Sequence, residues 1–374
     1  MKIPKIRFSR FSEEWKEEKL SNVCKVNPNS GILPEKFIYI DLESVENGVL
    51  LKENYIDLSD APSRAQRQLI KDDILFQTVR PYQKNNFYFD KIDTEFKYVA
   101  STGYAQLRAN EDSKFLYQYL HTQNFVNNVL EKCTGTSYPA INSSDLSKII
   151  IYKPSLEEQQ KIGDFFTLLD KRIEQQEQKI ALLKDYKKAM MQKIFSQKIR
   201  FKDDNGNDYP DWEEKKLGKI CRVKSSQLTN NVVEEIGKYP VYGANSIVGY
   251  TENYEVNKYV SIVKDGAGVG RIAFINNKSS VLGTLQYLIG IEITTEFLYV
   301  LLSNVNFKLY QTGTTIPHIY FKDYSKMIID IPCQLEQEKI SSFLFAMDLN
   351  LENQEAILNN LKEQKQGLLR KMFV

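Results

Sequence analysis

The sequence predicts an α+β chain: two mixed α/β domains joined by two long helices that pair as an antiparallel coiled coil, the whole an internal repeat with pseudo-twofold symmetry. Three observations predict it. The tetrapeptide KIRF stands at residues 5–8 and again at 198–201. A gapless block from Thr134 to Phe195 matches Thr312 to Phe373 at a constant shift of 178 positions. Within that block apolar residues step by four and three, the spacing of a helix that buries one seam. The boundaries drawn from this are a mixed domain at 1–153, a long helix at 154–197, a second mixed domain at 198–331 and a second long helix at 332–374.

Bulk properties narrow the class. A chain of 374 residues has room for two or three domains. Its 42% apolar and 26% charged residues are those of a soluble globular protein, and no apolar run nears the roughly 18 residues of a membrane span. The opening MKIPKIRFSR has no apolar core of a secretory signal, so a cytoplasmic location is expected. Cys24, Cys133, Cys221 and Cys333 form no CxxC pair and only His121 and His318 could accompany them, so reduced thiols and no metal site are expected. Lys plus Arg balances Asp plus Glu at 20 against 20 over residues 1–150 and 13 against 13 over 205–330, so any nucleic-acid surface must be local or shared with a partner.

Each half opens alike. After KIRF come Trp15, Leu20, Cys24 and Val26 in one half and Trp212, Leu217, Cys221 and Val223 in the other, a shift of 197. The change to a shift of 178 makes the second insert 19 residues shorter. These inserts, about 27–133 and 224–311, share little identity and are rich in Tyr, Phe, Asn and β-branched residues with frequent turn signals, which predicts twisted sheets. DDILFQTVRPYQKNNFYFD and KYVSIVKDGAGVGRIAFIN each read as strand, exposed loop, strand, and short helical stretches precede each TGT segment.

Pro154 and Pro332 precede the long helices, with Glu157, Glu158, Glu336 and Glu338 at the positive end of the helix dipole. The seam runs Ile162, Phe166, Leu169, Ile173, Gln176, Ile180, Leu183, Lys187, Met190, Ile194; its copy runs Ile340, Leu344, Met347, Leu351, Gln354, Leu358, Leu361, Lys365, Leu368, Met372. Gln and Lys interrupt both seams at the same places, where buried polar residues restrict register. About 38 residues of helix would span roughly 57 Å.

The loops hold what a base-reading surface requires: Arg80, Tyr82, Lys84 and Asn85 in one half, Asn245, Lys264 and Arg271 in the other, and Thr136, Tyr138, Thr314 and His318 in the TGT segments. Arg and Asn match guanine and adenine edges, while Lys, Tyr and backbone amides hold phosphates. DGAGVG lies between two strands rather than before a helix, which argues against a dinucleotide loop. No Walker motif, HExxH or Asn/Asp-Pro-Pro-aromatic tetrapeptide is present, so the sequence reads as a recognition protein without catalytic residues of its own.

The duplicated order of RF, Trp, variable insert, TGT, Pro-x-x-x-Glu-Gln and heptad helix, with Pro154, Glu158 and Gln159 matched by Pro332, Glu336 and Gln337, resembles the specificity subunit of type I restriction-modification enzymes. The resemblance implies two target-recognition domains, each reading half of a split DNA site, held apart by an antiparallel coiled coil that spaces them. It implies partners as well: two modification subunits that methylate adenine with S-adenosylmethionine, and ATP- and Mg-dependent restriction subunits, leaving this chain without a cofactor. On it, Pro154, Glu158, Gln159, Gln176, Lys187, Pro332, Glu336, Gln337, Gln354 and Lys365 form the coiled-coil and partner frame. The alternatives are a coiled-coil scaffold for proteins or a DNA-modifying enzyme with an unrecognised site.

Overall fold

The structure, a computed structural model, describes residues 2–92 and 94–374. The chain divides into two compact units, Met1–Gln178 with Ala356–Val374, and Lys179–Glu355. Each unit thus joins a mixed domain to part of both long helices, cutting across the four segments marked by the sequence. The physical reason is that a helix with one apolar stripe has no core of its own and must borrow one.

In the first unit the opening strand Lys16–Lys19 pairs antiparallel with Ile150–Lys153, closing a frame around the insert. Behind it lies a four-stranded antiparallel sheet in the order Cys24–Val26, Tyr104–Ala109, Asp73–Gln77, Phe87–Phe89. A second sheet has the order Asn54–Asp57, Lys36–Ile40, Lys97–Ser101, Ala65–Gln68, its middle pair parallel. Helices Ser113–Leu120 and Gln123–Leu130 cover the first sheet, started by Asp112 and Thr122, whose side chains accept from the amides of Phe115 and Phe125.

The second unit repeats this design. Glu213–Lys216 pairs with Ile328–Ile331, and the four-stranded sheet runs Cys221–Ser225, Leu285–Gly290, Tyr259–Val263, Ile272–Ile275. Its second sheet has three strands, Ile247–Thr251, Tyr239–Tyr242 and Ser280–Val281, again with one parallel pair. The strand Ala65–Gln68 and the small hairpin Val45–Glu46 with Val49–Leu50 have no counterpart there, which is where the shorter insert saves its length. DGAGVG is the turn of an antiparallel hairpin, as the sequence predicts.

The long helices span Leu156–Phe195 and Gln334–Met372. Their ends complete the domain cores. In the first unit Phe373 packs edge-on to Trp15 and stacks with Phe115, beside Ile162 and Phe166. In the second, Phe195 takes the same place against Trp212 and Phe297. The amide of Ile6 donates to the Lys371 carbonyl at 2.9 Å, tying the chain start to the end of the second helix.

Within each unit the two helices run in opposite directions, and the ion pairs between them are copies at the 178 shift. Lys365 pairs with Asp170 (2.5 Å) and Lys362 with Glu177 (2.6 Å) in the first unit. Lys187 pairs with Asp348, and Lys184 with Glu355 (2.7 Å), in the second. The seam lysines therefore do not sit uncompensated: each meets a carboxylate contributed by the opposite helix. Gln176 and Gln354 are half-buried at matching phase.

All four cysteines are free thiols. Cys24 and Cys221 donate to the carbonyls of Leu20 and Leu217, and burial pushes both thiols up to about 12. Among the described residues no group of three or more His, Cys, Asp or Glu could hold a metal ion, and no helix is long and apolar enough to cross a membrane.

Candidate nucleic-acid interface

The two repeated sequence signatures, KIRF and Pro-x-x-x-Glu-Gln, meet in space. Arg7 forks onto Glu158 with two 2.7 Å hydrogen bonds, and Arg200 forks onto Glu336 at 3.1 and 2.7 Å. Both carboxylates are 0% exposed. The adjoining Gln159 and Gln337 turn back to donate to the carbonyls of Pro154 and Pro332 at 3.0 and 2.9 Å. Glu158, Gln159, Glu336 and Gln337 are consumed inside the frame. A buried carboxylate must be paired from within, and here the arginine of KIRF supplies the pair.

The TGT segments are folded alike in the two units. In each, an isolated bridge closes the loop, Thr134 with Ala140 and Thr312 with His318. Gly135 and Gly313 lie at φ 89° and 85°, a conformation glycine adopts without steric cost. A Cβ on Gly313 would also come within 2.5 Å of the Ile316 carbonyl oxygen. The tips expose Thr136 and Tyr138 in one copy, Thr314 and Ile316 in the other, Tyr138 at 62% and Ile316 at 57%.

Each TGT loop is docked on the loop that leaves a central, wholly buried strand. In the first unit that strand is Asp73–Gln77. Val79 bridges Ala140, the Arg80 amide donates to Pro139 (2.7 Å), and the Arg80 guanidinium lies 4.2 Å from the Tyr138 ring centroid. In the second the strand is Tyr259–Val263. Asp265 bridges His318, the Gly266 amide donates to Pro317 (2.9 Å), and Ile319 donates to the Lys264 carbonyl (3.0 Å). The mount is common while the exposed groups differ.

This duplicated mount agrees with what known proteins show. The family model described as type I restriction modification DNA specificity domain matches residues 12–185 and again 209–363. The chain belongs to this family of DNA specificity domains. Similar curated members are the type I restriction enzyme HindI specificity subunit of Haemophilus influenzae, 27% identical over 43% of this chain and 36% of that one, and the MjaIX specificity subunit of Methanocaldococcus jannaschii, 22% identical over 70% and 68%. The match thus spans about a third of the first relative's length and two thirds of the second's. In fold, the chain resembles the crystal structure of a type I restriction-modification S subunit from M. genitalium, with a TM-score of 0.66 and 19% identity over 100% and 99% of the two chains. A chain from a structure on assembly and conformational transition of the type I R-M system gives 0.58 and 23% over 96% and 97%.

In this DNA specificity chain several residues expected to touch DNA are spent on scaffold. The Lys84 ammonium donates to the His121 carbonyl and to Gln123, and burial lowers its pKa. Asn85 accepts the Asn47 amide through its side chain, steadying the neighbouring hairpin turn. Lys264 pairs with Asp265 at 2.5 Å, and His318 Nδ1 lies 2.7 Å from the other carboxylate oxygen. Although burial opposes it, these two contacts hold the Asp265 carboxyl below its ordinary range. Arg271 donates to Asn245 and to the Ala244 carbonyl. Arg80, Tyr82, Thr136, Tyr138 and Thr314 keep their polar groups available at the loop tips, Tyr82 being 49% exposed.

Sequence reasoning missed Asp265, the partner of His318, and the helix carboxylates Asp170 and Asp348. The last two stand 178 apart, as do the lysines they hold, so the repeat itself carried their signal.

Proposed function

We propose that the chain is the DNA-recognising, non-catalytic subunit of a type I restriction-modification complex. Each unit reads one half of a split duplex target through its TGT loop and the variable loop docked on it, and the long helices, as an antiparallel coiled coil, set the unread spacer. Two modification subunits carrying S-adenosylmethionine methylate adenine, restriction subunits cleave with ATP and Mg, and the complex works in the cytoplasm. The observation that carries the reading is one mount present twice with different side chains on it: Arg80 with Tyr138 in one unit, Asp265 with His318 in the other. Two readers of two different half-sites need that combination. A near-neutral chain suits it also, because phosphate neutralisation can be shared with partners.

The test is to map methylated adenines genome-wide in a host that carries this chain with its modification subunit. A single bipartite motif with a fixed gap is the expected result. Methylation of a continuous motif, or a methylation pattern unchanged when the chain is deleted, would refute the proposal.

A further inference from the structure

Among the described residues of the first unit Arg64, Arg67, Arg80 and Arg172 hold no carboxylate, and of these Arg80 is the one seated on the TGT loop, over the Tyr138 ring. Arg7, Arg10 and Arg108 each hold a carboxylate, at 2.7, 2.8 and 2.8 Å. Among the described residues no carboxylate pairs with Arg80, and its guanidinium keeps its N–H donors uncommitted while lying over the Tyr138 ring. Arg80 is partly exposed, so its donors face solvent and are open to acceptors that a ligand brings.

The backbone around it is held in an uncommon shape. Arg80 has φ 54° and ψ 55°, and Lys84 φ 56° and ψ 27°, so both ends of the short turn Pro81–Gln83 are left-handed without glycine. Such strain persists only where the surroundings over-determine it, and it concentrates at ligand sites. Here the restraints are the Arg80 amide on Pro139 and the Gln83 amide on the Arg80 carbonyl (3.0 Å). The aromatic platform restricts the guanidinium and leaves its hydrogen-bonding edge open.

We infer that Arg80, held over Tyr138, reads a guanine in the half-site of the first unit by forking onto O6 and N7, and that the second unit has no equivalent guanine reader at this place. A planar fork matches those two acceptors, which a lysine can only approach as a point charge. In the second unit the position whose amide meets the TGT-segment proline is Gly266, which carries no side chain; Asp265 stands in the place of Val79 and is committed to His318 and Lys264, while Arg271 is committed to Asn245 and Ala244. This assignment rests on the DNA-recognition reading above and names the base and the unit.

The experiment uses the full chain assembled with modification subunits and the duplex target found by methylation mapping. Each guanine is replaced singly by 7-deazaguanine, which lacks the N7 acceptor. Wild type should lose roughly 10-fold or more in affinity at one guanine, in one half-site only. Arg80→Lys should lose a similar factor on the native duplex, become indifferent to 7-deazaguanine at that position, and keep its dependence on salt. Tyr138→Ala should weaken the same contact and Tyr138→Phe should not. Indifference of wild type to every 7-deazaguanine substitution overturns the inference, and that arm needs no variant to fold. So does an Arg80→Gln variant whose only change is a salt slope smaller by about one phosphate contact, which would make Arg80 a phosphate clamp. If the assembled complex shows no sequence preference at all, the DNA-recognition reading falls; if it binds specifically with Arg80 immaterial, only this inference falls.

Discussion

Arg7 and Arg200 show how neighbours change the worth of the same buried pair. Each guanidinium is held protonated above its usual range by its glutamate, against the opposing effect of burial. In Arg7→Ala, Glu158 would be stranded without a cation, a change that costs about 3–5 kcal/mol. In Arg200→Ala, Glu336 keeps the Trp212 indole N–H at 3.0 Å, so the loss should be nearer 2 kcal/mol. Trp15 and Trp212 are the two tryptophans, one in each unit, and denaturation followed after replacing either with Phe reports the other unit. Equal losses in the two units would show that the indole does not compensate. His121 sets a pH limit on the first unit. Burial first, and then the charge of Lys365, hold its pKa down at about 4, and its Nδ1 donates to the Tyr117 carbonyl at 2.7 Å as a neutral ring does. A depressed folded pKa means that the unfolded chain takes up the proton first as pH falls. The stabilisation is therefore full above about 6.5 and is lost as pH drops towards 4. Urea midpoints should fall across that window and do so less in His121→Gln; an unchanged slope in the variant would rule the assignment out.

At the scale of elements, the long helices combine two tasks. Their ends belong to domain cores, through Phe195 and Phe373, and their middles are joined by ion pairs. The pairs Lys184–Glu355 and Lys362–Glu177 are solvated and stabilise weakly, but Lys187–Asp348 and Lys365–Asp170 are more enclosed and penalise a shifted register. Removing four matched residues from both helices shortens them by about 6 Å, close to two base pairs at roughly 3.4 Å each. Methylation mapping of that variant should return the same half-sites with a gap shorter by one or two base pairs. An unaltered gap would show that the helices do not set the spacing.

For the whole molecule, the repeat was legible in the sequence because frame residues recur at fixed shifts and heptads leave a periodic signal. KIRF, Trp15 with Trp212, the Glu–Gln pairs, the TGT segments and both seams all stand out in the chain itself. The strand-loop-strand character of the inserts was legible too, from β-branched runs interrupted by Gly and Pro. What could not be read was which polar side chains point outward. Arg80 and Lys84 stand four positions apart in one loop with the same charge, yet one is open over Tyr138 and the other is folded onto the His121 carbonyl. Nor did the sequence reveal that KIRF exists to meet Glu158 and Glu336, because those contacts join residues 151 and 136 positions apart. Spacing and periodicity along the chain specify the duplicated frame, the two helices and the divergence of what they carry. Which polar groups are spent on the scaffold and which are left for a ligand emerges only on folding, because hydrogen-bond satisfaction is set by neighbours in space and not by neighbours in the chain.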